Sequence, residues 1–342
     1  MPKQSDCHYY FSPQIGIVVC SETSNSSTAE LNALIKSGKD AKGNILDENI
    51  EWIDISTENN IGINHNANVV SKGATYKSNS GTIYTEGMEL PTLKKGDRYT
   101  FGDYTYVYKV SGFGPELDGW CVSLVSGNRK KETYASPLDY IRNEPVVKAR
   151  QLFLDVTSLK YAPKMPETMI DMTQTFCGCT SLVYSPDIPD NVVYLSQAFH
   201  DCTSLRTSPK NSANVEDLFI AFGNSGITRL PDLTHCTKLT SLASAFYNCH
   251  NLVDISDFIV PQNVVSLNSM FSGSENIEKP FIIPEQITNI SYMYKNCPKV
   301  KGTLFINASN IEHYTDAIKY TKIINIEGNC PKNIKNAILN TK

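Results

Sequence analysis

Along the second half of the chain, apolar residues recur with a period far longer than a helix turn or a strand pleat. Take as origin each aromatic of a recurring F-x-x-C-x-x-L phrase. Phe153, Phe176, Phe199, Phe222, Phe246, Phe271 and Tyr294 then fall 23 to 25 residues apart, and Ile318 continues the series. Seven residues before the origins stand Met169, Val192, Val215, Leu239, Val264, Ile287 and Ile311. Four before them stand Met172, Leu195, Leu218, Leu242, Leu267, Ile290 and Tyr314. Three after comes a small or sulfur-bearing residue: Cys179, Cys202, Ser225, Cys249, Ser274, Cys297. Six after comes Leu159, Leu182, Leu205, Leu252, Ile277 or Val300, with Thr228 beside Ile227 in the unit of Phe222.

A unit this short cannot bury its own apolar face, so the units must stack and bury these columns as ladders. The spacing −7, −4, 0, +3 is nearly helical, while +5 to +9 is extended and runs toward Pro166, Pro189, Pro261 or Pro284. Each coil is therefore predicted to hold a short strand, a turn and a short helical or 3₁₀ stretch. The strand ends at the proline, which has no N–H to give a ladder. The result is an α/β solenoid of about seven coils. An open end would expose the ladders, so caps are expected. Ser136 as N-cap with Pro137 after it predicts a helix through Ile141, and Pro331 opens a second through Lys332 to Leu339.

Upstream the pattern is mixed and mainly β. Strands are expected at Ile15–Val19 and Glu51–Ile55, and a helix over Ser27–Lys36 before Gly38. Residues 58–82 are rich in Asn, Ser and Gly and read as a loop or linker. Tyr99-Thr100-Phe101 and Tyr104-Thr105-Tyr106-Val107-Tyr108 alternate about Gly102-Asp103, a hairpin, with Gly119–Leu124 a further strand. Three regions follow: 1–84, an anchoring region; 85–150, a small β-unit with the helical cap; 151–342, the solenoid and its C-terminal cap.

Charge and composition narrow the function classes. A net charge of −4 argues against a nucleic-acid binder, and the Arg129-Lys130-Lys131 cluster is followed at once by Glu132. No run approaches the ~20 apolar residues of a membrane span. The N-terminus has no apolar signal region and the C-terminus no lipidation motif, so if Met1 is the natural start the ordinary secretion route is not visible. The ten cysteines lack C-x2-C pairs, and Cys177-Gly178-Cys179 is too tight for a structural zinc site.

The cysteine column reads first as buried free thiols. A Cys179–Cys202 disulfide is the second reading, and a reactive nucleophile the least favoured, since no histidine tracks the column. His200-Asp201-Cys202 are neighbours in one turn and cannot form a triad. His235-Cys236 and Cys249-His250 are half a coil apart and make a poor zinc set. Gly112-Phe113-Gly114-Pro115 cannot open a phosphate-binding helix through its proline. No catalytic residue, metal or cofactor is expected.

Two candidate binding features remain. Tyr104, Tyr106, Tyr108 and Trp120 are a candidate aromatic platform for sugar rings, set against the plainer reading that they form the core face of a small sheet. Position +7, beside the inward apolar residue of each strand, gives an outward stripe of Lys160, Val183, Arg206, Arg229, Val253, Glu278 and Lys301. Such a stripe suits an extended or anionic partner. Ordinary solvated strand positions are the alternative.

Thr175-Phe176-Cys177-Gly178-Cys179-Thr180-Ser181-Leu182 and Ala198-Phe199-His200-Asp201-Cys202-Thr203-Ser204-Leu205 resemble the Treponema pallidum-type, or BspA-like, leucine-rich repeat. Ile188-Pro189, Val260-Pro261 and Ile283-Pro284 match that family's I-P step. The likeness covers roughly residues 151–326 and departs at Phe222-Gly223-Asn224-Ser225-Gly226 and at Ser274. It implies surface attachment, with similar repeats in phage particles, and no shared catalytic residues. Combined with no visible secretion signal, the leading expectation is a bacteriophage virion protein, a fibre, decoration or receptor-contact component. Its N-terminal region would meet other virion proteins and its repeats a host-surface polysaccharide or protein. Localisation is then the virion or extracellular space, without membrane insertion, and a homo-oligomer is compatible with it. The alternatives are a BspA-like bacterial or protist cell-surface adhesin and, least favoured, an enzyme targeted by its repeats.

Overall fold

The computed structural model describes residues 8–12, 17–21, 53–54, 63–109 and 117–341. Near the start, β1 (His8–Ser12) pairs antiparallel with β2 (Ile17–Ser21) and with β3 (Ile53–Asp54). The strands expected at Ile15–Val19 and Glu51–Ile55 overlap β2 and β3. The expected helix over residues 27–36 and the segment Gly112-Phe113-Gly114-Pro115 lie outside the described residues.

A second sheet has seven strands in the order β5-β4-β6-β7-β8-β10-β9. They are β4 (Thr75–Lys77), β5 (Ile83–Tyr84), β6 (Arg98–Phe101), β7 (Tyr104–Tyr108), β8 (Trp120–Leu124), β9 (Tyr140–Ile141) and β10 (Glu144–Lys148). The hairpin about Gly102-Asp103 joins β6 to β7, with Gly102 at φ +55° and Phe101 opposite Tyr104. Because β4 pairs with β6 (Tyr76 opposite Tyr99), the boundary expected at residue 84 falls inside one sheet. The polar stretch read as a linker thus carries a strand with a buried tyrosine, Tyr76, between exposed Thr75 and Lys77. Three residues are too few to show a period of two.

The helix expected from Ser136 does not form. Tyr140–Ile141 pairs instead with Glu144 and Pro145, the Leu138 N–H donates to the Tyr106 hydroxyl (3.0 Å), and Trp120 Nε1 donates to Ile141 O (2.9 Å). Aromatic partners distant in sequence overrode a local capping signal. The sheet itself caps the array. Tyr104 and Tyr134 pack on Phe153 at ring centroids of 6.5 and 5.1 Å, and Lys148 of β10 forms a parallel bridge to Asp171.

Two buried groups hold this cap together. Asp97 accepts the Tyr76 hydroxyl and the N–H groups of Asn79 and Lys94 (both 2.7 Å), while Arg142 donates to Pro91 O (2.8 Å) and reaches the Tyr76 hydroxyl (3.2 Å). His65 is buried against Tyr99 and Phe101, its Nδ1 2.7 Å from the Tyr99 hydroxyl, and burial lowers its pKa to about 4. An unfolded histidine takes up its proton as pH falls through about 6.5, whereas this one resists until about 4. Below about 6.5 the unfolded chain therefore binds the extra proton, and stability is expected to fall between there and pH 4. The loss is on the order of 2 kcal/mol, solvent screening keeping it below the full value of the shift. Urea unfolding at pH 7.5 and 4.5, compared with His65→Gln, checks this; equal pH dependence in both proteins would refute it.

Beyond residue 149 the chain winds in stacked coils. The rings of Phe153, Phe176, Phe199, Phe222, Phe246, Phe271 and Tyr294 form one column, successive centroids 5.4 to 5.9 Å apart and planes within 7 to 16°. All seven are fully buried. The helical stretch expected around each ring is absent. Gln151, Gln174, Gln197, Ile220, Ser244, Ser269 and Tyr292, two residues before the origins, have positive φ, and so do Asp155, Gly178, Asp201, Asn224, Asn248, Gly273 and Asn296, two after. A right-handed helix cannot contain such residues. Each coil instead makes consecutive tight turns, whose outward amides bond the next coil: Phe176 N–H to Ala198 O (2.9 Å), Phe199 N–H to Ala221 O (2.8 Å), Phe222 N–H to Ala245 O (2.9 Å). The period near 3.5 came from turn geometry that mimics a helix.

Regular strands in the coils appear at the far end, where β11 (Lys301–Phe305) lies parallel to β12 (Lys322–Glu327). Elsewhere single bridges such as Tyr161–Tyr184 and Asp254–Lys279 join the extended segments. As expected, α1 (Lys332–Leu339) follows Pro331 and buries Ile338 at the C-terminal end. The described residues are thus mainly β and turn, with one helix.

Candidate binding surface

Two columns of polar side chains tie coil to coil, and a third closes a turn within each coil. At +3, the thiols of Cys179, Cys202, Cys249 and Cys297 donate to the carbonyl of the preceding ring residue, Phe153, Phe176, Phe222 and Phe271, at 3.0 to 3.1 Å. Ser274 does the same to Phe246 O (3.0 Å) and accepts the Cys249 N–H (3.0 Å). At −8, the amides of Asn191, Asn214 and Asn263 donate to the preceding coil's Glu167, Asp190 and Thr237 carbonyls. At −5, Asp171, Asp217, Ser241 and Asn289 accept the N–H two residues on, closing a small turn at the bridge column. The last two columns stand in the sequence as recurring Asn and Asp/Ser/Asn. Apolar periodicity alone does not see them.

Cys179 and Cys202 are free thiols in this structure. Burial raises the thiol pKa throughout the column, to about 12 for Cys249 and Cys297, so these sulfurs stay protonated as hydrogen-bond donors. Cys202→Ser is expected to keep the bond and cost under about 1.5 kcal/mol, whereas Ser274→Ala leaves a buried carbonyl and N–H unpaired at about 1–3 kcal/mol. Denaturant midpoints of the two variants decide between these roles. If serine at 202 cost as much as alanine at 274, the hydrogen-bond account would be wrong.

The histidine sets do not assemble. His200 Nδ1 lies 2.9 Å from Gly223 O, while Cys202 is turned inward onto Phe176 O. His235 Nε2 is 2.8 Å from Asn211 O, and His250 faces Glu275 at 3.7 Å. Among the described residues no group of three His, Cys, Asp or Glu could hold a metal, and no helix is long and apolar enough to cross a membrane.

The aromatic platform is corrected. Tyr104, Tyr106, Tyr108 and Trp120 are all buried, on the face where β7 and β8 pack into the core, so no sugar ring can reach them. A row alternating on one strand face follows whichever face the fold covers, and here it is covered.

The +7 stripe lies outward, in two backbone-linked runs, Lys160 to Thr228 and Val253 to Lys301. Val183 N–H donates to Lys160 O (3.2 Å), Arg206 to Val183 (3.4 Å), Glu278 to Val253 (3.0 Å) and Lys301 to Glu278 (3.2 Å). Lys160, Arg206, Val253 and Lys301 are exposed; Val183 and Glu278 are half-buried. One member shifts: in the Phe222 coil it is Thr228 whose N–H bonds Arg206 O (3.2 Å), leaving the exposed Arg229 one place further on. Charge is also partly neutralised, Lys160 pairing with Glu132 (2.9 Å) and Lys301 with Glu278 (3.7 Å). A second outward row, missed in the sequence, is the glutamine ladder at −2. Gln151 Nε2 donates to Gln174 Oε1 (2.7 Å) and Gln174 Nε2 to Gln197 Oε1 (3.0 Å).

No family model and no curated protein matches the chain. Among solved structures it is similar to a leucine-rich repeat protein from Bacteroides ovatus ATCC 8483, at 20% identity over 66% of this chain and 57% of that one, TM-score 0.47. It is also similar to the T. pallidum leucine-rich repeat protein (18% identity, 70% of this chain and 93% of that, TM-score 0.35). A third is a leucine-rich cell surface protein from Faecalibacterium prausnitzii A2-165 (14% identity, 70% and 97%, TM-score 0.22). The chain spans little more than half, 57%, of the first. With TM-scores of 0.47 or less, the coil architecture rests on the chain's own stacked rings and hydrogen bonds.

Proposed function

We propose that this chain is a non-catalytic binding protein, a leucine-rich-repeat solenoid of about seven coils that presents its outward columns to an extended partner on a cell surface. The observation that carries the reading is the +7 column. Over Lys160, Val183 and Arg206, and again over Val253, Glu278 and Lys301, backbone bonds hold one outward side chain per coil at regular spacing. A rigid row of this kind suits a repetitive ligand, whose successive units meet successive side chains. The thiols along the array are occupied in holding the coils together, which supports binding over catalysis. The A-F-x-x-C-x-x-L resemblance supports an adhesin of the BspA-like type. A virion setting, with the N-terminal region meeting other particle proteins, draws nothing from the coil geometry and stays a second proposal, resting on the similar repeats of phage particles.

The test is binding of the full chain to a panel of neutral and anionic bacterial surface polysaccharides, alongside Arg206→Glu. Saturable binding to an anionic member, weakened about tenfold by the substitution (about 1.4 kcal/mol), is the expected result. A panel with no binder, or a variant that binds as well as the parent, would retire the +7 face as the contact surface.

A further inference from the structure

The ladder at +7 has one interruption. It runs from Lys160 through Val183 and Arg206 to Thr228, and again from Val253 through Glu278 to Lys301. Among the described residues no backbone bond joins Thr228 to Val253, nor the segments beyond them, residues 229–234 and 254–259. These two segments line an open groove of about 750 Å³. Each lip is braced on itself. Asp232 accepts the Thr234 N–H (3.0 Å) and hydroxyl (2.7 Å), and Asp254 accepts the Ser256 N–H (3.0 Å) and hydroxyl (2.6 Å).

The lining has a definite chemistry. Leu233 and Ile255 are buried, Leu230 and Phe258 half-buried, and Ile259 stands 66% exposed at the lip. Asp232, Asp254 and Asp257 face a single lining cation, Arg229, with Lys279 3.7 Å from Asp254 on the next coil. We propose that this groove takes an extended peptide segment, alternating apolar and basic residues, as an added strand between the Phe222 and Phe246 coils. Three observations converge on that occupant. Among the described residues the Val253 N–H and the Thr228 carbonyl have no protein partner, and main-chain pairing is what a strand supplies. The apolar lining accepts alternate side chains. The acidic excess selects cationic ones between them and disfavours anionic ones. This inference uses the backbone of the +7 column and stands whether or not the column's outward side chains bind a ligand.

The experiment uses the full chain and a fluorescein-labelled heptapeptide alternating lysine and valine, with a glutamate–valine counterpart, read by fluorescence anisotropy. Saturable binding of the lysine peptide is expected, about tenfold tighter than the glutamate peptide. Val253→Pro removes an N–H that bonds none of the described residues, and Asp257→Lys reverses one exposed rim charge. Each is expected to weaken binding at least about fivefold while the thermal unfolding midpoint holds. If the proline variant misfolds, Asp257→Lys decides alone. No saturable binding, equal affinity for the two peptides, or affinity untouched by Asp257→Lys would overturn the proposal.

Discussion

Phe246→Ala is expected to lose about 3–5 kcal/mol of stability, the range for truncating a fully buried phenylalanine. The ring lies in face-to-face contact with Phe222 on one side (5.6 Å) and Phe271 on the other (5.9 Å). Removing it therefore opens a cavity against two neighbours at once. Stability in a stacked array is a sum of unit and nearest-neighbour terms, so the loss falls on both interfaces of one coil. Against a total stability of roughly 5–15 kcal/mol, this is enough to unfold part of the array at moderate denaturant. Hydrogen exchange should show protection lost first in the Phe222, Phe246 and Phe271 coils, with urea unfolding giving the magnitude. Phe246→Leu, which keeps most of the volume, should cost less. A loss below about 1 kcal/mol for the alanine variant would mean the ring column is not the spine of the array.

Gly226→Ala is expected to cost stability at the upper end of roughly 1–3 kcal/mol or beyond. A Cβ there would lie 2.2 Å from Thr203 O and 2.8 Å from Leu205 O, both backbone atoms of the preceding coil that cannot step aside. Gly226 also donates its N–H to Cys202 O (3.1 Å), and its carbonyl accepts Asn251 Nδ2 (3.1 Å) and Arg206 Nη1 (3.4 Å). The close approach explains a local change of register. With glycine at +4, the chain drops into the core one residue early, so Ile227 fills the place that leucine holds at +6 in other coils. Thr228 then takes the +7 bond to Arg206, and the chain leaves the ladder before Val253 can join it. The same variant should therefore alter peptide binding at the neighbouring groove. Thermal unfolding checks the stability term; a midpoint within a degree or two of the parent would show that the coils can shift apart at no cost.

Departures from the repeat proved as informative as the repeat itself. The unit of Phe222, with Gly226 and no leucine at +6, was legible as irregular. Its consequence, a broken ladder, was not, because it depends on which backbone atoms of two coils face each other. The inward columns were legible throughout. Residues at −7, −4, 0, +3 and +6 are buried almost without exception, since burial of apolar side chains is written directly into composition at fixed spacing. The final helix from Pro331 was legible for a similar local reason: its proline start and the inward Ile338 lie within one short segment.

Other features took their form from contacts distant in the chain. Ser136-Pro137 carries a helix-start signal, yet Leu138 is held by Tyr106 and the segment becomes a strand. Tyr104, Tyr106, Tyr108 and Trp120 form an alternating aromatic row in either reading, and their burial makes them core, Tyr104 against Phe153 of the first coil. Turns with positive φ at −2 and +2 produce the same apolar spacing as a helix, so periodicity alone could not separate them. Side-chain spacing along a chain records which residues must leave water. Which backbone amides meet, and which face is covered, depends on neighbours that sequence order does not place side by side.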